Sequence, residues 1–216
     1  WEAARRATSA YAPLAIGNRA MHYLTTGGYN TAVGQEAMVS ITTGERNTAL
    51  GYHAGSRFQQ YYSTAVGFHA GGYATGSHNT FIGNEAGLGA SNSAPYSSGE
   101  KNVAVGSEAL KGFTSGYNNV AVGYQSLTSN TTGFNNVAVG YGALDSLTTG
   151  DYTTAVGRSA GSNVVGGRFN TFVGFNAGGN SNASHVVAIG YNVYGSGASN
   201  KSYGVYIGSN AGRYDT

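Results

Sequence analysis

The most constraining feature of this chain is a period. A short segment of form Ala-aliphatic-Gly recurs twelve times, closing on Gly17, Gly34, Gly51, Gly67, Gly83, Gly106, Gly123, Gly140, Gly157, Gly174, Gly190 and Gly208. Six of the eleven intervals are 17 residues, three are 16, one is 18 and one is 23. A unit this short cannot enclose a core by itself, so its apolar side must be covered by the unit before and the unit after.

Aligned on that glycine, the copies form columns. The preceding residue is always aliphatic: Ile16, Val33, Leu50, Val66, Ile82, Val105, Val122, Val139, Val156, Val173, Ile189 and Ile207. Three before the glycine stands a β-branched residue in eleven of twelve copies, such as Thr31, Thr48, Val103 and Val137. Between these two columns is alanine, replaced by Phe81, Phe172 and Tyr206. Three after the glycine, alanine returns in ten copies, with Ser126 and Val193 as exceptions. Seven copies carry asparagine four before it: Asn30, Asn47, Asn79, Asn102, Asn119, Asn136 and Asn170.

Alternation of β-branched, small and aliphatic residues is a strand signal of period two. Asparagine and glycine bracket it, both tolerant of left-handed corners. Valine, threonine, asparagine and glycine are poor helix formers, which argues against a helical repeat. The expectation is an all-β, parallel β-solenoid of twelve coils of about 17 residues. With strands about 4.8 Å apart it is a rod of roughly 55–60 Å. The solenoid spans residues 14–212, after a lead or cap over 1–13 and before a tail over 213–216, with an insertion loop at 88–98. If the aliphatic column points into the coil, the alanines point out, as a strip of Ala15, Ala32, Ala49, Ala65, Ala104, Ala121, Ala138, Ala155 and Ala188 set with Phe81, Phe172 and Tyr206. Such a strip suits chains packed about a shared axis, unless a loop folds back over it.

Composition narrows the function. Only 9% of residues are charged and the formal net charge is +2, too little for a nucleic-acid groove or an anionic membrane surface. The absence of cysteine removes disulfides and thiolate metal sites. No apolar run approaches the ~20 residues of a membrane-spanning helix. Trp1 to Arg6 lack the apolar stretch of a secretion signal and read as the start of a piece of a longer chain.

The segments Asn30-Thr-Ala-Val-Gly34, Asn102-Val-Ala-Val-Gly106 and Asn136-Val-Ala-Val-Gly140, each followed by x-x-Ala, resemble the head repeats of YadA-like trimeric autotransporter adhesins. They are also similar to the glycine-rich repeats of bacteriophage tail fibres. The resemblance covers Leu14 to Gly212 and implies a left-handed parallel β-roll assembled as a homotrimer. It also implies an extracellular place on a virion or bacterial surface and a cell-surface glycan or protein receptor. The adhesin repeat is shorter, so the extra residues here belong in an outer turn such as Thr128-Ser-Asn-Thr-Thr-Gly133.

Few residues carry chemistry, and the expectation is a non-enzyme without cofactor. His53 and His69 share a column two after the glycine in consecutive coils, and Glu85 follows, so the three form a weak metal candidate. The blander alternative is a solvated column, since its other members include Arg19, Gln125, Ser159 and Asn176. Glu85 and Glu108 suggest a paired-carboxylate hydrolase site, but the long interval between them spoils the spacing. Recognition has better candidates. Tyr52, Phe68, Tyr124, Tyr141, Phe175 and Tyr191 stand directly after the glycine and either dock a ligand or pack as core cover. Tyr96 lies in the one long loop, which is either where function sits or a spacer.

Three functions follow. The first is a fibre or adhesin segment with a multivalent receptor-binding surface. The second is a filament subunit stacking end to end through exposed strand edges. The third is an ice-binding solenoid, disfavoured because a threonine column that alternates with valine suggests an inward position.

Overall fold

The computed structural model describes residues 2–90, 92–178, 182–194 and 202–212. The expected tail over 213–216 lies outside the described residues. The chain is an all-β parallel solenoid. Its strands are β1 Leu14–Ile16, β2 Thr31–Val33, β3 Thr48–Leu50, β4 Thr64–Val66, β5 Thr80–Ile82, β6 Val103–Val105, β7 Val120–Val122, β8 Val137–Val139, β9 Thr154–Val156, β10 Thr171–Val173, β11 Val187–Ile189 and β12 Val205–Ile207. They form one twelve-stranded sheet in sequence order, all neighbours parallel. The register keeps every column intact: Ile16 pairs with Val33, Val33 with Leu50, and Val105 with Val122. Each unit therefore completes one circuit.

Outside the strands the backbone still bonds from coil to coil. Thr114 donates to the Thr131 carbonyl and Thr131 to that of Thr148. The Thr114 and Thr131 hydroxyls donate to the same two carbonyls. Residues 2–13 follow this path too: the Ala4 amide donates to Ala20 and the Thr8 amide to Thr25, so the lead stacks as part of a further coil.

One expectation is inverted. The aliphatic column is outside and the alanine column inside. Ala32, Ala49, Ala65, Ala104, Ala121, Ala138, Ala155 and Ala188 are fully buried. By contrast Leu50 is 48% exposed, and Ile82 and Val156 are each 39% exposed. Val33, Val66, Val105, Val122, Val139 and Val173 are half-exposed, and Ile189 and Ile207 are exposed. Phe81 and Phe172 are buried core residues and Tyr206 packs partly against that core, so none of the three is set into an outer strip. The physical reason is the narrowness of the coil. Long side chains four and seven after the glycine, such as Met21 with Leu24 and Met38 with Ile41, already fill the section. Only a small residue fits opposite them on the strand.

The corners match expectation at the marker glycines, all of positive φ, and differ at the other end of the strand. There the residue before the column's asparagine takes the left-handed conformation, as at Tyr29, Arg46, Lys101 and Phe169. Asparagine is buried and bridges coils. Asn102 accepts a hydrogen bond on Oδ1 from the Asn119 amide (3.0 Å) and donates from Nδ2 to the Gly116 carbonyl (2.9 Å). Asn119 repeats the pattern with Asn136 and Gly133. This ladder satisfies backbone groups where the chain turns into the strand.

Candidate functional site: the strand face and the insertion groove

With alanine and asparagine inward, the alternation puts the residues three and one before each glycine outward. Along β2 to β12 these are threonine or valine in one column and valine, leucine or isoleucine in the other. The marker glycines sit at the end of this face with φ near +130°. A Cβ on Gly106 would lie 2.5 Å from the Gly123 carbonyl oxygen, so only glycine lets the coils close to sheet spacing there. The result is a face of mostly β-branched side chains in register along the whole sheet, about 55 Å long.

Rings border it at both strand ends. On the glycine side Tyr52, Phe68, Tyr124, Tyr141, Phe175 and Tyr191 are all exposed, so they are not core cover. They stack in pairs: Tyr52 on Phe68 at 5.4 Å, Tyr124 on Tyr141 at 5.3 Å and Phe175 on Tyr191 at 5.3 Å. The Arg158 guanidinium stands 5.5 Å from both Tyr141 and Phe175, which joins two pairs into one continuous stack. On the asparagine side a second ladder, missed in the sequence, runs Tyr117, Phe134, Tyr152, Phe169, His185 and Tyr203 with centroid separations of 4.9, 5.3, 5.0, 4.9 and 4.6 Å. Tyr117 and Phe134 stand six before the marker glycine and the other four stand five before it, so no single aligned column displays the whole ladder.

The metal candidate does not form. His53 and His69 stack face to face at 4.8 Å, which keeps their nitrogens from converging on one point. His53 Nε2 lies 3.0 Å from Glu36, while Glu85 pairs with Lys111 at 2.6 Å. No group of three potential metal ligands occurs among the described residues. Burial, with the neighbouring His53 charge, pushes the His69 pKa down against the opposing pull of Glu85. Glu85 and Glu108 share the Lys111 ammonium, and Glu108 also accepts from Gln125, which with Lys111 holds its pKa down. Both carboxylates are thus engaged structurally.

Around the corner from the strands, the insertion creates an open groove of about 410 Å³ lined by Arg19, Tyr23, Glu36, Ser40, His53, Arg57, His69, Tyr73 and Asn92 among others. The insertion leaves the coil near Ala90 and rejoins it at Ser97, which bridges Ala74 and donates from Oγ to the Phe113 carbonyl. Tyr96 joins neither ring ladder; its half-buried ring lies 5.0 Å from the Arg57 guanidinium. No helix among the described residues is long and apolar enough to cross a membrane. The chain matches no protein-family model, no curated protein and no solved structure, so its fold and surfaces carry the functional argument.

Proposed function

We propose that this chain is a segment of an extracellular fibre or adhesin, a homotrimer whose copies pack along the strand face and present receptor-binding surfaces outward. One observation supports this above the others: the outward column one before each glycine is aliphatic in every coil and runs unbroken along the sheet, flanked by a column of threonine or valine. A strip roughly 55 by 15 Å is on the order of 800 Å², about what one partner contributes to a stable interface. Its side chains are short and nearly uncharged, so identical strips meet without buried unpaired charge. Three copies of a weak receptor site then act together, and attachment to a virion or cell exterior gains from multivalency. Nothing in this role calls for catalysis or a cofactor. The solution mass tests it: about 66 kDa, three times the 22.1 kDa chain, is expected, and a monomer sinks it. Very large polymers favour the end-to-end filament instead.

The outward threonines favour a second reading. Thr31, Thr48, Thr64 and Thr80 stand in register on consecutive strands of the exposed face, the arrangement an ice-binding solenoid needs. The inward position once expected of this column no longer counts against that function. Thermal hysteresis from a monomeric sample would replace the fibre reading with this one.

A further inference from the structure

We propose that the groove beside the insertion binds an anionic pyranose, a sugar bearing a carboxylate, sulfate or phosphate, with Arg57 as the anion anchor. The inference rests on the display reading above and names the ligand class and the place. Among the described residues Glu36 is the one carboxylate lining the groove, and both its oxygens are engaged, by Arg19 at 2.7 Å and by His53 at 3.0 Å. Arg57 has no carboxylate partner among the described residues, which leaves the groove an excess positive charge at a known place.

That guanidinium is also held in position. Ser40 Oγ accepts from it at 3.0 Å on one side, and the Tyr96 ring supports it on the other. A guanidinium held in this way loses little rotamer freedom when an anion arrives, and its planar fork suits paired oxygens. Tyr73 offers an aromatic surface for the apolar face of a sugar ring, and exposed Asn92 offers an amide for its hydroxyls. A volume of about 410 Å³ falls in the range of small-ligand sites. The groove lies where the repeat is broken by its one long interval, on a side of the coil that packing along the strand face leaves open.

Calorimetric titration of the purified chain with N-acetylneuraminate, D-glucuronate, D-glucose 6-phosphate, D-glucose 6-sulfate and neutral D-glucose decides the matter. Saturable binding of at least one anionic sugar, weakened by salt, and none of glucose at equal concentration is expected. Which anion binds separates carboxylate, phosphate and sulfate. Arg57→Gln should weaken that binding tenfold or more. Asn92→Asp, on an exposed loop, should weaken it with an unchanged melting curve. Equal binding of glucose, no binding of any anionic sugar, or an unaffected Arg57→Gln variant overturns the proposal. The solution mass of the same samples reports separately on assembly: a monomer that binds refutes the fibre but not the groove, and an assembly that does not bind refutes the groove alone.

Discussion

Asn130 occupies the inward column held elsewhere by Leu24, Ile41, Phe58, Phe113 and Leu147. Its amide is fully buried, and neither Nδ2 nor Oδ1 has a hydrogen-bond partner among the described residues. A buried amide without partners costs free energy that an apolar residue of similar size does not. Asn130→Leu should therefore raise stability by about 1–2 kcal/mol, measured as a shift of the denaturation midpoint. His69 carries the opposite kind of cost, one that depends on pH. Its pKa is lowered in the folded chain, so below the ordinary value of 6.5 the unfolded chain binds the proton more readily. The penalty is absent well above pH 6.5, grows as pH falls through that value, and is complete below the folded pKa. Melting temperatures at pH 7.5 and 5.5 should differ less in His69→Gln than in the parent, provided that His53 and Glu85 are intact. An unchanged difference would remove His69 from the account.

A bulky strand residue is matched by a glycine in the turn after it, and where strand and turn are both small, as at Ala65 with Gly71, a ring of a neighbouring coil fills the space. All three coils with an aromatic in place of the strand alanine have glycine four after the marker: Phe81 with Gly87, Phe172 with Gly178 and Tyr206 with Gly212. A Cβ on Gly87 would come 2.1 Å from the Phe81 ring, and one on Gly178 2.2 Å from Phe172. The ring enters the space that Leu110 or Leu127 fills in regular coils. Phe81→Ala alone should cost about 3–5 kcal/mol by cavity formation, and Gly87→Leu alone should be destabilising by overpacking. The double variant recreates a regular coil and should recover most of the loss in a double-mutant cycle; additive losses would disprove the exchange. The marker glycine has no such compensation. Gly123→Ala sets a Cβ 2.5 Å from the Gly140 carbonyl oxygen at φ +128°, and should cost on the order of 2–3 kcal/mol in the melting curve.

For the whole rod, neighbouring residues on one strand have opposite duties. Ala121 faces the core and Val122 faces out. Val122→Glu should leave the circular dichroism and melting curve of the chain nearly intact while lowering the assembly to 22.1 kDa by light scattering. Ala121→Glu should unfold the chain, because it buries an unpaired charge. Should Val122→Glu leave a larger assembly intact, the strand face is not the contact surface. Charge also differs along the rod. Arg19, Glu36, His53, Glu85 and Lys111 cluster in the first half, where Tyr11, Tyr29, Arg46, Tyr62 and His78 also stack, and the ladders from Tyr117 and Tyr124 continue through the second.

The twelve coils, their register and the position of the long loop were legible in the sequence, because the marker glycine must recur at the positive-φ corner after each strand, where a Cβ would strike the next coil's carbonyl. The parity of the strands was not. A period-two pattern is satisfied with either set inward, and a shift of one residue exchanges the faces. Two signals pointed the right way: asparagine shares the alanine's parity and suits a buried ladder, and each aromatic at the alanine position coincides with a glycine downstream. Tertiary packing decided between the faces because the turn residues at Met38, Leu110 and Leu144 already fill a narrow coil. The groove was likewise beyond reach of any column, since it joins a loop residue, Asn92, to side chains of four earlier coils that only folding brings together.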